Sequence, residues 1–480
     1  MKREVLTIYI LLFCIYTSIA QGGRPLSLDR AIDMALAQNP AIKSAHYNEQ
    51  AATENRKATR GLFMPQINLI GNYSYLGKDI AINTNNLKQN ISTTAGDVIS
   101  TALQSEIISQ NTATLLSNLL GEATSFDWSY TLQKRSFGFI GTSVNVPIFL
   151  GGKINAAYRA SQIEESISKQ QSRQAENSLI SELIERYYAL MLITRVAQVK
   201  EQVVAGISKH LKDAIALEQQ GMIARSELLY VEYKMAEAER ELYDAQGELT
   251  TIKDALKATI STDEDFTTIT PMFILNRVED IAYYRHLAES NPLISQVELK
   301  MKLAEQALRI DRAEFFPQIT AMGVANIFNH QVSDLLPRWA VGVGVNFKIF
   351  NGLNREHKYK AAKTTVNEVE QIAIGAHKDV NLLIDKLYNQ LQNYHNRLNS
   401  IASSIRFAEE YRKSKQRAFT EGLATASDLI DAELNLAKVR TERLEAAFKY
   451  DTTLAKLLEA AGVSINFMDY IHSNDVEIIE

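Results

Sequence analysis

The sequence predicts an α+β chain made by internal duplication, with very long paired helices alternating with pairs of short strands of membrane-barrel type. Three observations predict it. Landmarks recur at fixed offsets, two long blocks lack proline, and segments between those blocks alternate apolar with polar or small residues.

The offsets come first, because repetition settles architecture before any single residue does. Asn39-Pro40 recurs as Asn291-Pro292 and Pro65 as Pro317, both 252 positions on. Phe149 and Gly151 recur as Phe350 and Gly352, and Gly221-Met222 as Gly422-Leu423, all 201 positions on. The jump of 51 places one insertion in the first copy, between Pro65 and Phe149. The two repeats span about 25–260 and 275–465, joined through Ser261 to Asn276 with its Pro271. The inserted stretch, about 76–134, is rich in Ser, Thr, Asn and Gln and reads as a surface loop with a helix around Val98 to Leu120. An acidic C-terminal tail, 466–480, is expected to be loosely ordered.

The helices follow from proline placement. All eight prolines lie outside 148–270 and 338–480, and both blocks are rich in Ala, Leu, Glu, Gln and Lys, which lose least on entering a helix. Ile180, Ile184, Tyr187 and Met191 keep helical spacing. Gly152 to Gln219 is 68 residues without a proline; as one helix it reaches about 100 Å. Gly221 and Gly422 then interrupt the pattern, each followed by a Ser/acidic pair, Ser226-Glu227 and Ser427-Asp428. A glycine stop and a polar restart predict a helical hairpin in each repeat.

The strands follow from period two. Val341, Val343, Val345, Phe347 and Ile349 share one face, with Gly342, Gly344, Asn346 and Lys348 on the other. Val144, Val146 and Ile148 repeat this opposite Ser143 and Asn145, and further strands begin at Gln66-Ile67-Asn68-Leu69 and Gln318-Ile319-Thr320-Ala321. Four strands per chain, each about ten residues long, suit a tilted membrane barrel. Four strands cannot close one, and an open edge in lipid leaves backbone groups unpaired. Either they form a soluble sheet or several chains complete one barrel.

The N-terminus reads as a signal peptide, 1–20. Lys2 and Arg3 precede the apolar run Val5 to Ile15, and Ser18-Ile19-Ala20 supplies the small residues of a cleavage site. The only cysteine, Cys14, lies inside it behind Phe13, which argues against lipidation. After cleavage the chain has no thiol and no disulfide. No later stretch approaches 18 apolar residues, so no transmembrane helix is expected. The formal charge is −5, and −6 once Lys2, Arg3 and Glu4 leave. A mildly acidic, mixed-charge chain argues against nucleic-acid binding.

Reaction chemistry finds no foothold. The eight histidines are scattered, no His-Glu-x-x-His or Gly-x-Ser-x-Gly occurs, and Gly151-Gly152-Lys153 lacks the upstream glycine of a phosphate loop. The 10 methionines form no cluster. No cofactor, metal site or enzymatic activity is expected.

The repeated Asn-Pro, the strand entries Met64-Pro65-Gln66-Ile67 and Phe316-Pro317-Gln318-Ile319, the exit Pro147-Ile-Phe-Leu-Gly-Gly152 and the segment Phe419 to Glu433 together resemble the TolC family of outer-membrane efflux proteins. The resemblance covers nearly all of 21–480. It implies a homotrimer whose four strands per chain close a twelve-stranded β-barrel in outer-membrane lipid of a Gram-negative cell, continued by an α-helical barrel in the periplasm. It further implies a passive exit duct of a tripartite efflux system. A periplasmic adaptor would join it to an inner-membrane transporter of the RND or ABC type. A type I protein secretion duct is the alternative within transport. A secreted coiled-coil scaffold is the rival from another class, and the Val341 to Phe350 alternation and the matched glycine turns count against it.

The resemblance also assigns residues. Asp428 and Asp431, one turn apart, fall where the family rings its periplasmic aperture with acids. Thr425-x-x-Asp428 equally fits a capping box, so Asp428 carries two readings. The counterpart of Asp431 in the first repeat is Tyr230. The family's aperture latch falls on Glu227, Phe419 and Ala424, where Phe419 lacks a hydroxyl, Ala424 lacks a guanidinium and Arg225 is a candidate substitute. Gly221, Met222, Ile223, Gly422, Leu423 and Ala424 are the adaptor-contact tips, or alternatively ordinary helical turns. Tyr73 and Tyr75 fit an interfacial aromatic girdle.

Overall fold

A computed structural model describes residues 24–335, 337–473 and 475–479. The signal segment 1–20 and Cys14 lie outside the described residues. The chain opens with β1 (Arg24–Leu26), α1 (Leu28–Gln38) and α2 (Pro40–Arg60), then enters β2 (Gln66–Tyr75). The inserted stretch gives β3 (Ile80–Asn83), α3 (Asn85–Gln104), α4 (Gln110–Ser125) and β4 (Ser129–Gln133). β5 (Ser136–Leu150) leads to a hairpin of α5 (Lys153–Gln219) and α6 (Arg225–Ile260). Next come β6 (Phe266–Thr268), β7 (Met272–Leu275), α7 (Ile281–Ala288), α8 (Pro292–Ala313), β8 (Gln318–His330) and β9 (Trp339–Asn346). A second hairpin, α9 (Asn354–Thr420) and α10 (Ala426–Ala460), precedes α11 (Phe467–Ile471) and β10 (Val476–Ile479). The outgoing helices α5 and α9 are both 67 residues long, and the returning helices α6 and α10 have 36 and 35.

Two compact units form. One holds Ala58–Tyr158 and Arg309–Tyr359. Its centre is an antiparallel sheet in the order β2-β5-β8-β9, so β2 and β9 each pair on one side only. The register sorts the faces. Ile67, Leu69 and Tyr73 align with Val144, Thr142 and Gly138. Val144 and Thr142 align with Gly323 and Ala325, and these with Val341 and Trp339. This face is apolar and open to the surroundings, with Val341 76% and Leu69 74% exposed. The opposite face carries Gln66, Asn68, Asn72, Asn145, Ser143, Gln318, Thr320 and Asn346 with small glycines, and Met322 and Val324 among them. Tyr73 lies across Gly138, where an added Cβ would come within 2.9 Å of the ring.

Pro147 has no N–H to give the ladder, and the β5 register shifts between Pro147 and Phe149, leaving Ile148 as the extra residue of a bulge. The alternation expected to run to Phe350 ends at Asn346, because Phe347 to Phe350 leave the sheet. The inserted stretch is folded rather than looped. β3 pairs antiparallel with β4, and two helices replace the single one expected around Val98 to Leu120. Glu106 takes a left-handed conformation (φ 59°) and Ser109 caps the restart by accepting the Thr112 N–H, which splits them.

The other unit comprises the described residues through Lys57, then Arg159–Leu308 and everything from Lys360. Its core gathers Leu28, Ile32, Leu183, Ile184, Tyr187, Tyr188, Leu256, Tyr284, Tyr450 and Phe467. Tyr187 organises the region: its hydroxyl donates to the Leu26 carbonyl at 2.6 Å and accepts from the N–H groups of Ile269 and Thr270. Segment 261–276 is therefore more than a connection, since β6 pairs with β1 and β7 with β10. The tail is ordered, contrary to its acidic composition. Phe467 is fully buried against Tyr188 and Phe273, and Val476–Ile479 runs antiparallel to β7.

The two Asn-Pro pairs do one job twice. Asn39 Oδ1 accepts the Ala41 N–H while its Nδ2 donates to the Thr259 carbonyl, at 2.8 and 2.9 Å. Asn291 does the same with Leu293 N–H and the Ala460 carbonyl, both at 2.7 Å. Each asparagine thus starts one helix and holds the carbonyl end of a returning hairpin helix. Among the described residues no helix is long and apolar enough to cross a membrane.

Candidate functional site

The predicted site residues lie at the turns of the two hairpins. Gly221 and Gly422 hold φ of 72° and 73°, a left-handed conformation that side-chain-bearing residues resist. Each ends its helix in the same motif: Met222 N–H reaches the Leu217 carbonyl and Leu423 N–H the Ala418 carbonyl, at 2.9 and 2.8 Å. Met222 and Leu423 stand exposed on the turns, whereas Ile223 tucks against the cluster of Ile207, Leu228, Val231 and Ile430. Ala424 is half-buried.

The two restarts differ. Helix α6 begins after Ala224 with no side-chain cap, so Ser226 lies inside the helix rather than at its cap. Helix α10 begins at Thr425 with a full capping box. The Thr425 hydroxyl accepts the Asp428 N–H at 3.2 Å, and Asp428 Oδ2 accepts the Thr425 N–H at 3.2 Å. Asp428 Oδ1 meets Lys415 Nζ at 3.1 Å. The Thr425 backbone N–H, then Lys415, hold the Asp428 carboxyl below its ordinary range.

Cross-links between the hairpins surround this cap. Glu227 Oε1 accepts the N–H of Ala426, the first residue of α10, at 3.0 Å. Tyr230 donates its hydroxyl to Asp431 Oδ1 at 2.8 Å. Desolvation, and then the Asp431 carboxylate, push the Tyr230 phenol up. Glu227, Asp428 and Asp431 are thus brought to one junction, with Tyr230 and Lys415 as partners that sequence reasoning had not assigned. The signal for Tyr230 was present, since it stands 201 positions before Asp431. Lys415 left none, because a lysine 13 positions upstream of Asp428 is brought back to it only by the turn.

Phe419 is packed against the apolar cluster and sits edge-on to the His210 ring, centroids 6.3 Å apart. Arg225 pairs with Glu218 at 3.8 Å within its own hairpin, and among the described residues it shows no bond to the second. Among the described residues no group of three His, Cys, Asp or Glu side chains is placed to hold a metal ion.

Two long helical hairpins, each preceded by paired antiparallel strands and turning at an exposed glycine, match the fold of TolC-type outer-membrane channels. The chain belongs to the outer membrane efflux protein family, whose model matches residues 31–261 and 283–463. No curated protein sequence matches it. Solved structures of the same fold include the CmeC outer membrane channel of Campylobacter jejuni, at 14% identity and a TM-score of 0.70, covering 93% of this chain and 89% of that one. The outer membrane protein VceC of Vibrio cholerae matches at 16% identity and 0.68, over 91% and 96%. The open state of the MtrE outer membrane channel of Neisseria gonorrhoeae matches at 15% identity and 0.68, over 91% and 89%.

Proposed function

We propose that three copies of this chain close a twelve-stranded barrel in the outer membrane and continue it as an α-helical periplasmic tunnel, forming a passive, non-enzymatic exit duct. The observation that carries this reading is the four-stranded sheet. Its outward apolar face suits lipid, and its two singly paired edges, β2 and β9, suit neighbouring copies. The Tyr73, Tyr75 and Trp339 rings suit an interfacial girdle. The equal lengths of α5 and α9 support the duplicated repeats, 25–260 and 275–465, with 76–134 as an elaboration of the first.

In this reading the tips Gly221 to Ile223 and Gly422 to Ala424 meet a periplasmic adaptor that leads to an inner-membrane RND or ABC transporter. Asp428, Asp431 and Glu227 then lie at the aperture, where repeated carboxylates would favour cations. Asp428 serves as helix cap and aperture acid at once.

The test is conductance of the detergent-extracted protein in a planar bilayer, comparing wild type with Asp428→Asn/Asp431→Asn. A small cation-selective conductance that loses selectivity in the double variant is expected. A protein that neither conducts nor gives heat-modifiable trimer bands on a gel would defeat the proposal.

A further inference from the structure

One titratable pair near the hairpin junction takes no part in the polar cross-links described above. His210 on α5 is only 3% exposed, and neither ring nitrogen has a hydrogen-bond partner among the described residues. Its Nε2 lies 3.4 Å from Oε1 of Glu433 on α10, close enough for an ion pair but too poorly aligned for a neutral hydrogen bond. Glu433 Oε2 is buried and unpartnered as well. The carboxylate presses against α5 at Gly206, where an added Cβ would fall 2.5 Å from Oε2. Burying unmade polar groups costs free energy, and charging the imidazole turns both its nitrogens into donors.

The surroundings favour one outcome. Helix α9 contributes Arg412, whose Nη1 is 3.8 Å from Glu433 Oε1 and whose side chain is 37% exposed, so its repulsion of a charged imidazole is screened by water. Helix α9 also brings the Phe419 ring. Helix α6 adds Val231, Ala238 and Met235 to the adjoining apolar cluster, while its Lys234 is held by Glu237 at 2.8 Å. On α5 itself Lys209, Lys212 and Asp213 are exposed. Among the described residues Glu433 is thus the one carboxylate paired with the buried ring, and it belongs to the other hairpin.

We infer that His210 and Glu433 form a pH-operated latch between the two hairpins of one protomer, closed when the imidazole is protonated. The sign is fixed by the geometry: the proton adds an attraction to Glu433, so acid tightens the junction and alkali loosens it. Tightening would stiffen the same tips that carry Glu227, Asp428 and Asp431. The latch stands on protomer geometry alone, and only its consequence for conductance rests on the channel reading.

Hydrogen–deuterium exchange of the full-length protein tests it, at about pH 5.5 and about pH 7.5 after correction for the intrinsic pH dependence of exchange. Segments 203–214 and 428–437 of the wild type should exchange about tenfold more slowly at the acid pH. His210→Gln and Glu433→Gln should each erase that difference. His377→Gln, which loses a half-exposed pair with Glu298 at 3.6 Å, should leave it intact. Equal protection of the wild type at both pH values would overturn the latch. So would an undiminished acid gain in Glu433→Gln, which keeps His210 in place and decides the matter even if the His210 variant misfolds. A null result here leaves the conductance test untouched, and a failed conductance test leaves this one standing.

Discussion

Tyr230 donates its hydroxyl to Asp431 at 2.8 Å, so equivalent positions of the two returning helices hold each other across the hairpin junction. Tyr230→Phe removes the donor and leaves the ring. Under the channel proposal it should free Asp431, raise conductance and lower the melting midpoint by an amount corresponding to about 1 kcal/mol. Asp431→Ala, which removes the acceptor, should lower the midpoint by a similar amount, and the two together little more than either. Fully additive effects in that double-mutant cycle would mean that the bond is not formed in the assembled protein.

Asp428 makes stability depend on acid. Its folded carboxyl is held below the ordinary value by the Thr425 N–H and Lys415. The stabilisation it provides is therefore present above about pH 4, where the unfolded carboxyl is ionised, and is lost as pH falls through the folded value. Asp428→Ala, which removes cap and ion pair, should melt lower than Asp428→Asn, which keeps an acceptor for Thr425. The gap between wild type and Asp428→Asn should close on acidification below about pH 4. A gap that persists there would assign the effect to packing.

Asp451 works in the opposite direction. It is fully buried in the core, with Oδ2 accepting the Phe273 N–H at 3.3 Å and Oδ1 without a hydrogen-bond partner among the described residues. Burial pushes its carboxyl well up, so the folded chain keeps a proton that the unfolded chain releases. Stability on this account is full below about pH 4 and falls as pH rises toward the folded value. Asp451→Asn should melt higher than wild type at about pH 8, with an advantage that shrinks toward about pH 4. An equal pH slope in both proteins would show that Asp451 does not titrate in this way.

Val343 sits in the middle of the apolar face, opposite Ala321. If that face meets lipid, Val343→Arg should cost about 2–4 kcal/mol of membrane insertion. It should also sharply reduce the heat-modifiable trimer in outer-membrane fractions. Gly342→Arg, on the other face of the same strand, should be far milder. Equal damage from both substitutions would place the sheet outside the membrane.

Much of this was legible from the residues. The 201-position offset matched two 67-residue helices and two glycine turns, because glycine is the residue that takes a positive φ without strain and so marks a helix stop. The Asn-Pro pairs marked helix starts, but their second bond, to Thr259 or Ala460, joins residues more than 160 positions apart and had no local signature. The tail and the inserted stretch misled for a shared reason. Their polar composition suggested looseness, whereas a few apolar side chains such as Phe467, once given a partner surface, outweigh it.

By itself, the sequence determined the period of the long helices and of the four paired strands, the glycine stops of the two hairpins, the apolar side of those strands and the family. These are local properties, set by backbone sterics and side-chain spacing. Only the tertiary structure decided which residues meet across the hairpins: Glu227 with Ala426, Tyr230 with Asp431, Lys415 with Asp428 and His210 with Glu433. Those pairings depend on the turn geometry and on how the four helices pack, and contacts between distant segments leave no periodic trace in a single chain.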